Sequence, residues 1–362
     1  MLALASLPGM GPRRLGALLA HRAPAAAWAL VIGGHAAGDR AVAEALGARA
    51  GPVADGWRRA AQAIDVAELW RRHTAAGLGI LRRADERFPP ALADDREPPE
   101  LLFTSGCLGA LDGPRVAIIG TRRCTRYGRD VAFDLGHDLA AAGVRVLSGL
   151  ALGIDGAAHE GALAAAAAPP VAVVATGLDV VYPRRHRALW ERVAGAGVVL
   201  TEAPLGTAPE RWRFPARNRI IAALADVVVV VESHAAGGSL ITVLEALDRD
   251  RPVMAVPGPI RSPASAGTNR LLYDGLAPVC DAGDVLVELG LHAEVTARGA
   301  DATAAVPTEV APILDALGWE PATLDSLVTR TGQPPGEVAV ALSRLERDGL
   351  VACNGAWWER TA

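Results

Sequence analysis

The residues with the clearest chemical potential in this sequence are the two arginines and the asparagine of Arg217-Asn218-Arg219. They stand between Phe214-Pro215, which is typical of a turn, and an apolar segment with helical spacing. The first turn of a helix has free backbone N–H groups and the positive end of the helix dipole, so it favours an anion. Guanidinium groups add planar donors that match phosphate oxygens. The pattern therefore predicts that Phe214, Arg217, Asn218 and Arg219 form part of a phosphate site.

Further candidate residues follow predicted strands. Unbroken apolar runs predict buried parallel strands at Val116–Ile119, Val144–Leu147, Val171–Ala175, Val198–Thr201, Val227–Val231 and Val253–Val256. Ligands of such sheets collect at the carboxyl ends of the strands. The candidates there are Gly120, Thr121, Arg122 and Arg123 after the first strand, Ser148 and Gly149 after the second, Tyr182 and Arg184 after the third, and Gly238 and Ser239 after the fifth.

The residue types at these strand ends indicate the kind of ligand. Glycine lets the backbone turn tightly, and arginine supplies charge, but the loop from Gly120 lacks the GxGxxG spacing of a dinucleotide site. Tyr182 beside Arg184 either stacks on a base or is a ring at the edge of the core. Several arginine-bearing loops on one sheet edge suit a chain of phosphates, whose contacts give affinity with little sequence information. The sequence thus predicts single-stranded nucleic acid, bound without strong sequence preference.

Composition narrows the classes of function. The 36 basic residues are all arginine, and without lysine a Walker A loop and a Schiff base are excluded. The net charge of −4 argues against a wholly basic nucleic-acid binder, so the anion site must be local. Four widely spaced cysteines without zinc spacing predict reduced thiols in a cytoplasmic protein. We expect no catalytic residue, metal, cofactor, signal peptide or membrane span.

Hydrophobic periodicity separates a helical region from an α/β region. Residues 1–95 have helical spacing and predict a small helical domain. Within them, Gly9 and Gly11 beside Arg13 predict either a helix-hairpin-helix phosphate contact, in a domain of that or a SAM-like type, or a plain turn. Residues 96–295 alternate strands with helices, which predicts an α/β fold with a Rossmann-like, doubly wound parallel sheet.

The C-terminal part has a different pattern. Residues 296–307 are poor in large apolar residues and are typical of a linker. Residues 308–362 predict three helices followed by a hairpin around Asn354-Gly355. Three helices and a hairpin indicate a winged-helix domain.

The strand ends, taken in order, resemble the DprA/Smf family of DNA-processing proteins. The matching segments are Val116 to Gly128, Leu147 to Leu163, Val171 to Pro183, Phe214 to Ile221, Gly238 to Thr242, Ala255 to Gly258 and Gly267 to Gly275. The resemblance implies a protein without catalytic turnover that binds single-stranded DNA, forms a homodimer through its Rossmann-like domain and loads the RecA recombinase in natural transformation. Leu152 stands where the family usually has a basic residue.

Two other functions match parts of the sequence. Gly237-Gly238-Ser239, with Glu245 on the following helix, is similar to the phosphate motif of phosphoribohydrolases, which are nucleotide-phosphate enzymes on a related Rossmann fold. Residues 308–362 could instead make the protein a regulator that binds duplex DNA. There, however, Arg344 and Arg347 lie near acidic residues, which favours a protein-interaction or structural role over groove reading.

Overall fold

The computed structural model of the chain describes residues 1–291, 310–348 and 350–360. The chain divides into two compact units, Met1–Ala293 and Glu294–Ala362. The predicted linker, residues 296–307, lies outside the described residues.

The first unit begins with helices, as predicted. They are α1 (Leu2–Ala5), α2 (Pro12–Leu19), α3 (Pro24–Ile32), α4 (Arg40–Leu46), α5 (Ala50–Ala63) and α6 (Val66–Ala75). The carboxylates of Asp39 and Asp65 cap α4 and α6 by accepting backbone N–H bonds. The helices pack around buried Leu18, Val31 and Trp57. Among the described residues no single helix is both long and apolar enough to cross a bilayer; α2 and α3 meet those criteria only as a pair bent by 100°.

A sheet of nine strands forms the rest of the first unit. In chain order its elements are β1 (Gly79–Arg82), α7 (Pro90–Ala93), β2 (Leu101–Gly106), β3 (Arg115–Ile119), α8 (Arg126–Ala141), β4 (Arg145–Ser148), α9 (Ile154–Ala165), β5 (Val171–Val173), α10 (Arg187–Ala196), β6 (Val198–Thr201), α11 (Arg213–Leu224), β7 (Val227–Val230), α12 (Ser239–Leu247), β8 (Val253–Ala255), α13 (Ala266–Tyr273), β9 (Ala277–Pro278) and α14 (Ala282–Glu288). The spatial order is β1-β2-β6-β5-β4-β3-β7-β8-β9. From β6 to β9 all neighbours are parallel, whereas β1 and β2 are antiparallel additions at one edge.

The sheet is doubly wound, and both of its faces are covered by helices. On β3, Val116 and Ile118 pack with α8 and α9, whereas Ala117 and Ile119 pack with α11 and α12. Strand residues therefore alternate between two buried faces, which explains the unbroken apolar runs. The order reverses between β3 and β7, which are neighbours through Ile119 and Val230. The carboxyl ends of these two strands define the switch point where such sheets bind ligands.

The six predicted strands are all present, and their ends lie within two residues of the predicted ones. Strands β1, β2 and β9 were not predicted, and β1 places residues 79–82 in the sheet although they lie within the range 1–95 assigned to the helical domain. The expected turn at Phe214-Pro215 is also wrong, since α11 begins at Arg213. Proline is tolerated there because the first turn of a helix has no intrahelical partner for its N–H groups.

The second unit has the predicted winged-helix pattern. Its elements are α15 (Ala311–Leu317), β10 (Ala322–Thr323), α16 (Leu324–Thr331), α17 (Pro335–Arg347), β11 (Val351–Asn354) and β12 (Trp357–Arg360). The three strands form a sheet in the order β10-β12-β11. Gly355, at a φ of +69°, makes the predicted turn between β11 and β12. Ile313, Leu327 and Leu342 form the centre of the core.

Candidate nucleic-acid interface

A cleft opens at the switch point, between the ends of β3 and β7. Among the residues that line it are Gly120, Thr121, Arg122, Arg123, Asp155, Phe214, Arg217, Asn218, His234, Gly238, Ser239, Ile241 and Thr242. The cavity of the cleft has a volume of about 480 Å³, which lies within the roughly 300–1,000 Å³ that is typical of ligand pockets. Most of the residues predicted from the strand ends thus lie at one site.

The loop after β3 is held by backbone bonds that leave its arginines exposed. The Thr121 N–H donates to the Glu232 carbonyl at 2.8 Å, and the Arg123 N–H donates to Thr121 Oγ1 at 3.2 Å. A Cβ at Gly120 would lie 2.5 Å from a side-chain carbon of Ile154, so only glycine fits. Arg122 and Arg123 are exposed at the cleft. The loop therefore presents two guanidinium groups on a fixed backbone.

An aromatic pair lies beside this loop. The Arg122 guanidinium stands 4.8 Å from the centre of the Phe214 ring, and the Tyr182 ring lies 5.5 Å from Phe214 at an angle of 49°. Tyr182 is 39% exposed, so its ring is not a core side chain. Arg184 is exposed, and its side chain has no hydrogen bond or ion pair within the part of the chain that the structure describes. The exposed Tyr182 ring and the partly exposed Phe214 ring, next to guanidinium groups, provide for base stacking and phosphate contact at neighbouring points.

The start of α12 is open to solvent at the cleft. Gly238 is the N-cap, and no side chain caps the helix. A Cβ at Gly238 would have no atom within 4 Å, so this position faces open space. The Ser239 hydroxyl donates to Ser233 Oγ at 2.9 Å, which holds the serine at the first turn. The Leu240 and Ile241 N–H groups donate to the carbonyls of Gly237 and Gly238, so the N–H groups of Gly238 and Ser239, together with the helix dipole, favour a phosphate at this point.

The guanidinium groups of Arg217 and Arg219 do not lie together at one phosphate site. Residues two apart on a helix point about 200° apart, and α11 carries the two guanidinium groups to different sides. Arg217 is only 6% exposed and donates to the carbonyls of Gly149 and Val173, at the ends of β4 and β5. Its pKa is lowered by burial to about 10, so it stays charged near neutral pH. Arg217 borders the cleft, but its guanidinium is engaged in holding strand ends.

Arg219 lies outside the cleft. It is 3% exposed, forms an ion pair with Glu202 and donates to the Glu97 carbonyl. Burial raises the pKa of the Glu202 carboxyl, and the Arg219 charge opposes that rise. The expectation of a direct phosphate contact by Arg219 is therefore not met in this structure, and its role is to anchor α11.

Ser148 and Gly149 support the site without facing the ligand. The Ser148 hydroxyl is fully buried and donates to the Ile118 carbonyl at 2.7 Å. The Gly149 N–H donates to Asp155 Oδ2 at 3.1 Å, and a Cβ at Gly149 would lie 2.2 Å from the Arg217 guanidinium. Burial raises the pKa of the Asp155 carboxyl, whereas Arg217 opposes that rise. Hence the end of β4 positions Arg217 and Asp155 rather than binding phosphate through its own side chains.

Two titratable residues of the cleft, Asp155 and His234, were not predicted as site residues. The Asp155 carboxylate accepts N–H bonds from Gly149 and Ala151. His234 follows β7, lines the cleft and was passed over in favour of the glycines and serine after it. His234 could have been predicted as a site residue from its position at a strand end next to the switch point. Asn218, by contrast, lines the cleft as predicted.

The Gly9–Gly11 turn of the helical region is packed against tryptophans. The Trp57 indole donates to the Pro8 carbonyl at 3.0 Å, and a Cβ at Gly11 would lie 3.0 Å from the Trp212 ring. The Gly9 carbonyl accepts from Arg14 at 2.7 Å. Because indole rings border the turn, the structure favours a plain inter-helix turn over a phosphate contact.

The fold and the cleft together define a class: a Rossmann-like protein with glycine- and arginine-bearing loops at its switch point, a helical N-terminal region and a winged-helix unit. Comparison with known families agrees. Residues 79–290 match the profile described as DNA recombination-mediator protein A, and residues 297–355 match the DprA winged helix domain. The chain therefore belongs to the DprA/Smf family of DNA-processing proteins.

Individual relatives show the same likeness. A DNA processing protein DprA of Mycobacterium tuberculosis is 41% identical over 68% of this chain and 64% of its own length, so slightly less than two thirds of that relative is matched. Protein Smf of Escherichia coli is 36% identical over 74% of this chain and 73% of its own.

Two solved structures have a similar fold. DprA from Streptococcus pneumoniae superposes with a TM-score of 0.66 at 32% identity, covering 79% of this chain and 95% of that one. A structure reported for the single-stranded DNA binding mode of DNA processing protein A from Helicobacter pylori has a TM-score of 0.54 at 31% identity, covering 59% of this chain and 97% of that one.

Proposed function

We propose that this protein binds single-stranded DNA without strong sequence preference and acts without catalytic turnover. The observation that carries the proposal is the convergence, in one cleft, of an exposed arginine loop, an aromatic residue and an uncapped helix start. The direct contacts we propose are Gly120, Thr121, Arg122, Arg123, Tyr182, Arg184, Phe214, Asn218, Gly238 and Ser239. Ser148, Gly149, Arg217 and Arg219 act on the site by holding these elements in place.

The chemistry of the cleft suits a strand rather than a free nucleotide. Guanidinium groups and helix N–H groups contact phosphates of any sequence, and a phenyl ring stacks on any base. A duplex shields its base faces, so the Phe214 and Tyr182 rings give an advantage to single strands. The likeness to the Helicobacter pylori protein, whose reported binding mode is to single-stranded DNA, supports the same ligand.

The proposal can be tested at the start of α12. Gly238→Glu is expected to place a carboxylate where a phosphate should lie, without a clash, because a Cβ there meets no atom within 4 Å. Gly238→Ala tests the same backbone without the charge, and Gly195→Glu puts the same charge at an equally open position on α10. Fluorescence anisotropy with labelled single strands of two sequences and a duplex of equal length measures the affinity.

We expect wild-type protein, Gly238→Ala and Gly195→Glu to bind both single strands with similar affinity and more tightly than the duplex. Gly238→Glu should lose at least tenfold in single-strand affinity, which corresponds to about 1.4 kcal/mol. Preference for the duplex, or equal weakening by Gly238→Glu and Gly195→Glu, would count against the proposed cleft.

Homodimer formation and RecA loading extend the proposal to partners. Tyr273 on α13 and Val287 on α14 are 81% and 74% exposed, and exposed apolar side chains of this size suit a subunit interface. Sedimentation of wild-type protein and Tyr273→Asp would test the dimer, since a loss of the dimer is expected in the variant. RecA loading is tested by RecA filament formation on DNA coated with a single-strand-binding protein, with and without this protein.

The enzyme alternative depends on Glu245 and is not supported by its position. The Glu245 carboxylate forms an ion pair with Arg249 at 2.5 Å, and Arg249 also pairs with Asp95. A carboxylate engaged in this way is poorly placed to act on a nucleotide at the start of α12. Release of free base from nucleoside monophosphates by wild-type protein, if it were lost in Glu245→Gln, would nevertheless support an enzymatic function.

The winged-helix unit has the wrong charge for reading duplex DNA. Its described residues include Arg330, Arg344, Arg347 and Arg360 against Asp315, Glu320, Asp325, Glu337, Glu346, Asp348 and Glu359. An acidic surface repels the phosphate backbone. We therefore propose a protein-interaction or structural role for this unit, and expect that its deletion leaves duplex affinity unchanged.

A further inference from the structure

His234 lies between the two anion-binding loops of the cleft. It follows β7, is exposed and lines the cleft together with the loop after β3 and the start of α12. Its Nδ1 atom is 3.4 Å from Thr121 Oγ1, which already accepts the N–H of Arg123. The backbone beneath it is fixed, since the Gly267 N–H donates to the Ser233 carbonyl at 2.7 Å. The imidazole is thus held at the loops by one nitrogen.

The other ring nitrogen, Nε2, makes no hydrogen bond within the described residues. When the imidazole is neutral, only one of its nitrogens carries a proton. When it is protonated, both nitrogens donate, so Nδ1 can donate to Thr121 while Nε2 donates to an anion in the cleft. Protonation also adds a positive charge beside the exposed Arg122 and Arg123.

Several charged groups face the same cleft and belong to the argument. Arg122, Arg123 and Arg217 are cationic, and Asp155 is a buried carboxylate whose pKa is raised by burial. Glu232, at the end of β7, is buried and accepts two hydrogen bonds from Thr125. On α13, which packs against the backbone of His234, Arg270 pairs with Asp274. Because burial raises its pKa, the Asp155 carboxyl could imitate a histidine by losing negative charge as the pH falls.

We propose that His234 is a proton-dependent phosphate contact, which tightens the grip on single-stranded DNA in mildly acidic solution. The inference rests on the proposed function of the cleft and adds a regulatory residue to it. Histidine is the side chain whose charge ordinarily changes between pH 5 and 8, whereas DNA phosphates keep their charge throughout. The affinity and its salt dependence should therefore both change with pH through this one side chain.

The experiment compares wild-type protein, His234→Gln and His137→Gln at pH 5.5 and 8.0. His137 lies on α8, contacts Asp138 and does not line the cleft, so it is a matched control for loss of a histidine. Binding of a labelled oligothymidylate is measured at several salt concentrations, and thermal unfolding at both pH values verifies the fold. Asp134, whose pKa is raised to about 6, titrates alike in wild-type protein and His234→Gln and cancels from that comparison, whereas His137→Gln also removes a charge that lowers the pKa of Asp134.

For wild-type protein and His137→Gln we expect a steeper salt slope at pH 5.5 than at pH 8.0, by about 0.7 for one added charge contact with a single strand. For His234→Gln the two slopes should agree. A pH effect that persists undiminished in His234→Gln would overturn the inference and assign the effect to another group, such as Asp155. No pH effect in wild-type protein would overturn it as well, whereas absence of single-strand binding at both pH values would instead refute the proposed function.

Discussion

Replacing Arg217 with alanine should destabilise the protein much more than it alters phosphate binding. The guanidinium donates to the buried carbonyls of Gly149 and Val173, and its charge opposes the cost of burying the Asp155 carboxylate. Each hydrogen bond to a charged group contributes about 1.5–3 kcal/mol. Loss of both bonds, together with an uncompensated carboxylate, should cost on the order of 3–5 kcal/mol. At about 2–4 °C per kcal/mol, the melting temperature should fall by roughly 6–20 °C.

Calorimetry measures how far Arg217 stabilises the fold, and salt-dependent DNA binding measures whether Arg217 contacts a phosphate. Burial already raises the pKa of Asp155, and loss of the Arg217 charge should raise that pKa further. An acid with a raised pKa in the folded state stabilises that state at low pH and loses this effect as the pH rises. The loss of stability in Arg217→Ala should therefore be larger at pH 8 than at pH 5, and Asp155→Asn should restore part of it. The reasoning is refuted if Arg217→Ala melts like wild type while its salt slope falls by about 0.7.

Three more predictions concern single side chains. Arg122→Ala should reduce the salt slope of single-strand binding by about 0.7 and change stability by less than about 0.5 kcal/mol. The control is Arg126→Ala, which removes an exposed arginine paired with Asp130 on α8 and should change neither quantity. An unaltered slope in Arg122→Ala would contradict the proposed phosphate contact. Phe214→Ala should weaken binding of every single strand by about 1–3 kcal/mol through loss of base stacking, as measured by anisotropy, and a sequence-selective loss would argue against stacking. Burial lowers the pKa of His159 to about 3, below its usual 6.5, so wild-type stability should fall as the pH falls from 6.5 towards 3. The difference in urea midpoint between pH 7.5 and pH 5.0 should therefore be smaller in His159→Gln than in wild-type protein. An equal difference in the two proteins would show that other groups account for the pH dependence.

The strands that position the cleft could be predicted because their sequences report burial directly. Val227–Val230 and its parallel neighbours are apolar at every position, since helices cover both faces. The short β1 and β9 could not be predicted, because their residues are largely exposed and their pairing depends on partners distant in the chain. A pattern of apolar residues reveals a buried surface but not an edge.

The candidate site could be predicted only in part, for a similar reason. The loop at Arg122 and the start of α12, which both lie at the cleft, could be predicted as site elements because strand ends and glycines are typical of ligand-binding loops. The side-chain directions of Arg217 and Arg219 depend on where α11 begins, and the proline at position 215 hid the start at Arg213. Charge alone could not separate a guanidinium that faces solvent from one that binds carbonyls inside the fold.

The anchoring of α11 has a consequence for the thermodynamics of binding. Arg217 ties the helix to the ends of β4 and β5, and Arg219 ties its other side to Glu202 at the end of β6. A helix restrained from two directions cannot rotate, so Phe214 in its first turn is held in place before any ligand arrives. Preorganised contacts lose little conformational freedom on association. The DNA strand, rather than the protein, should therefore contribute most of the ordering entropy when the complex forms.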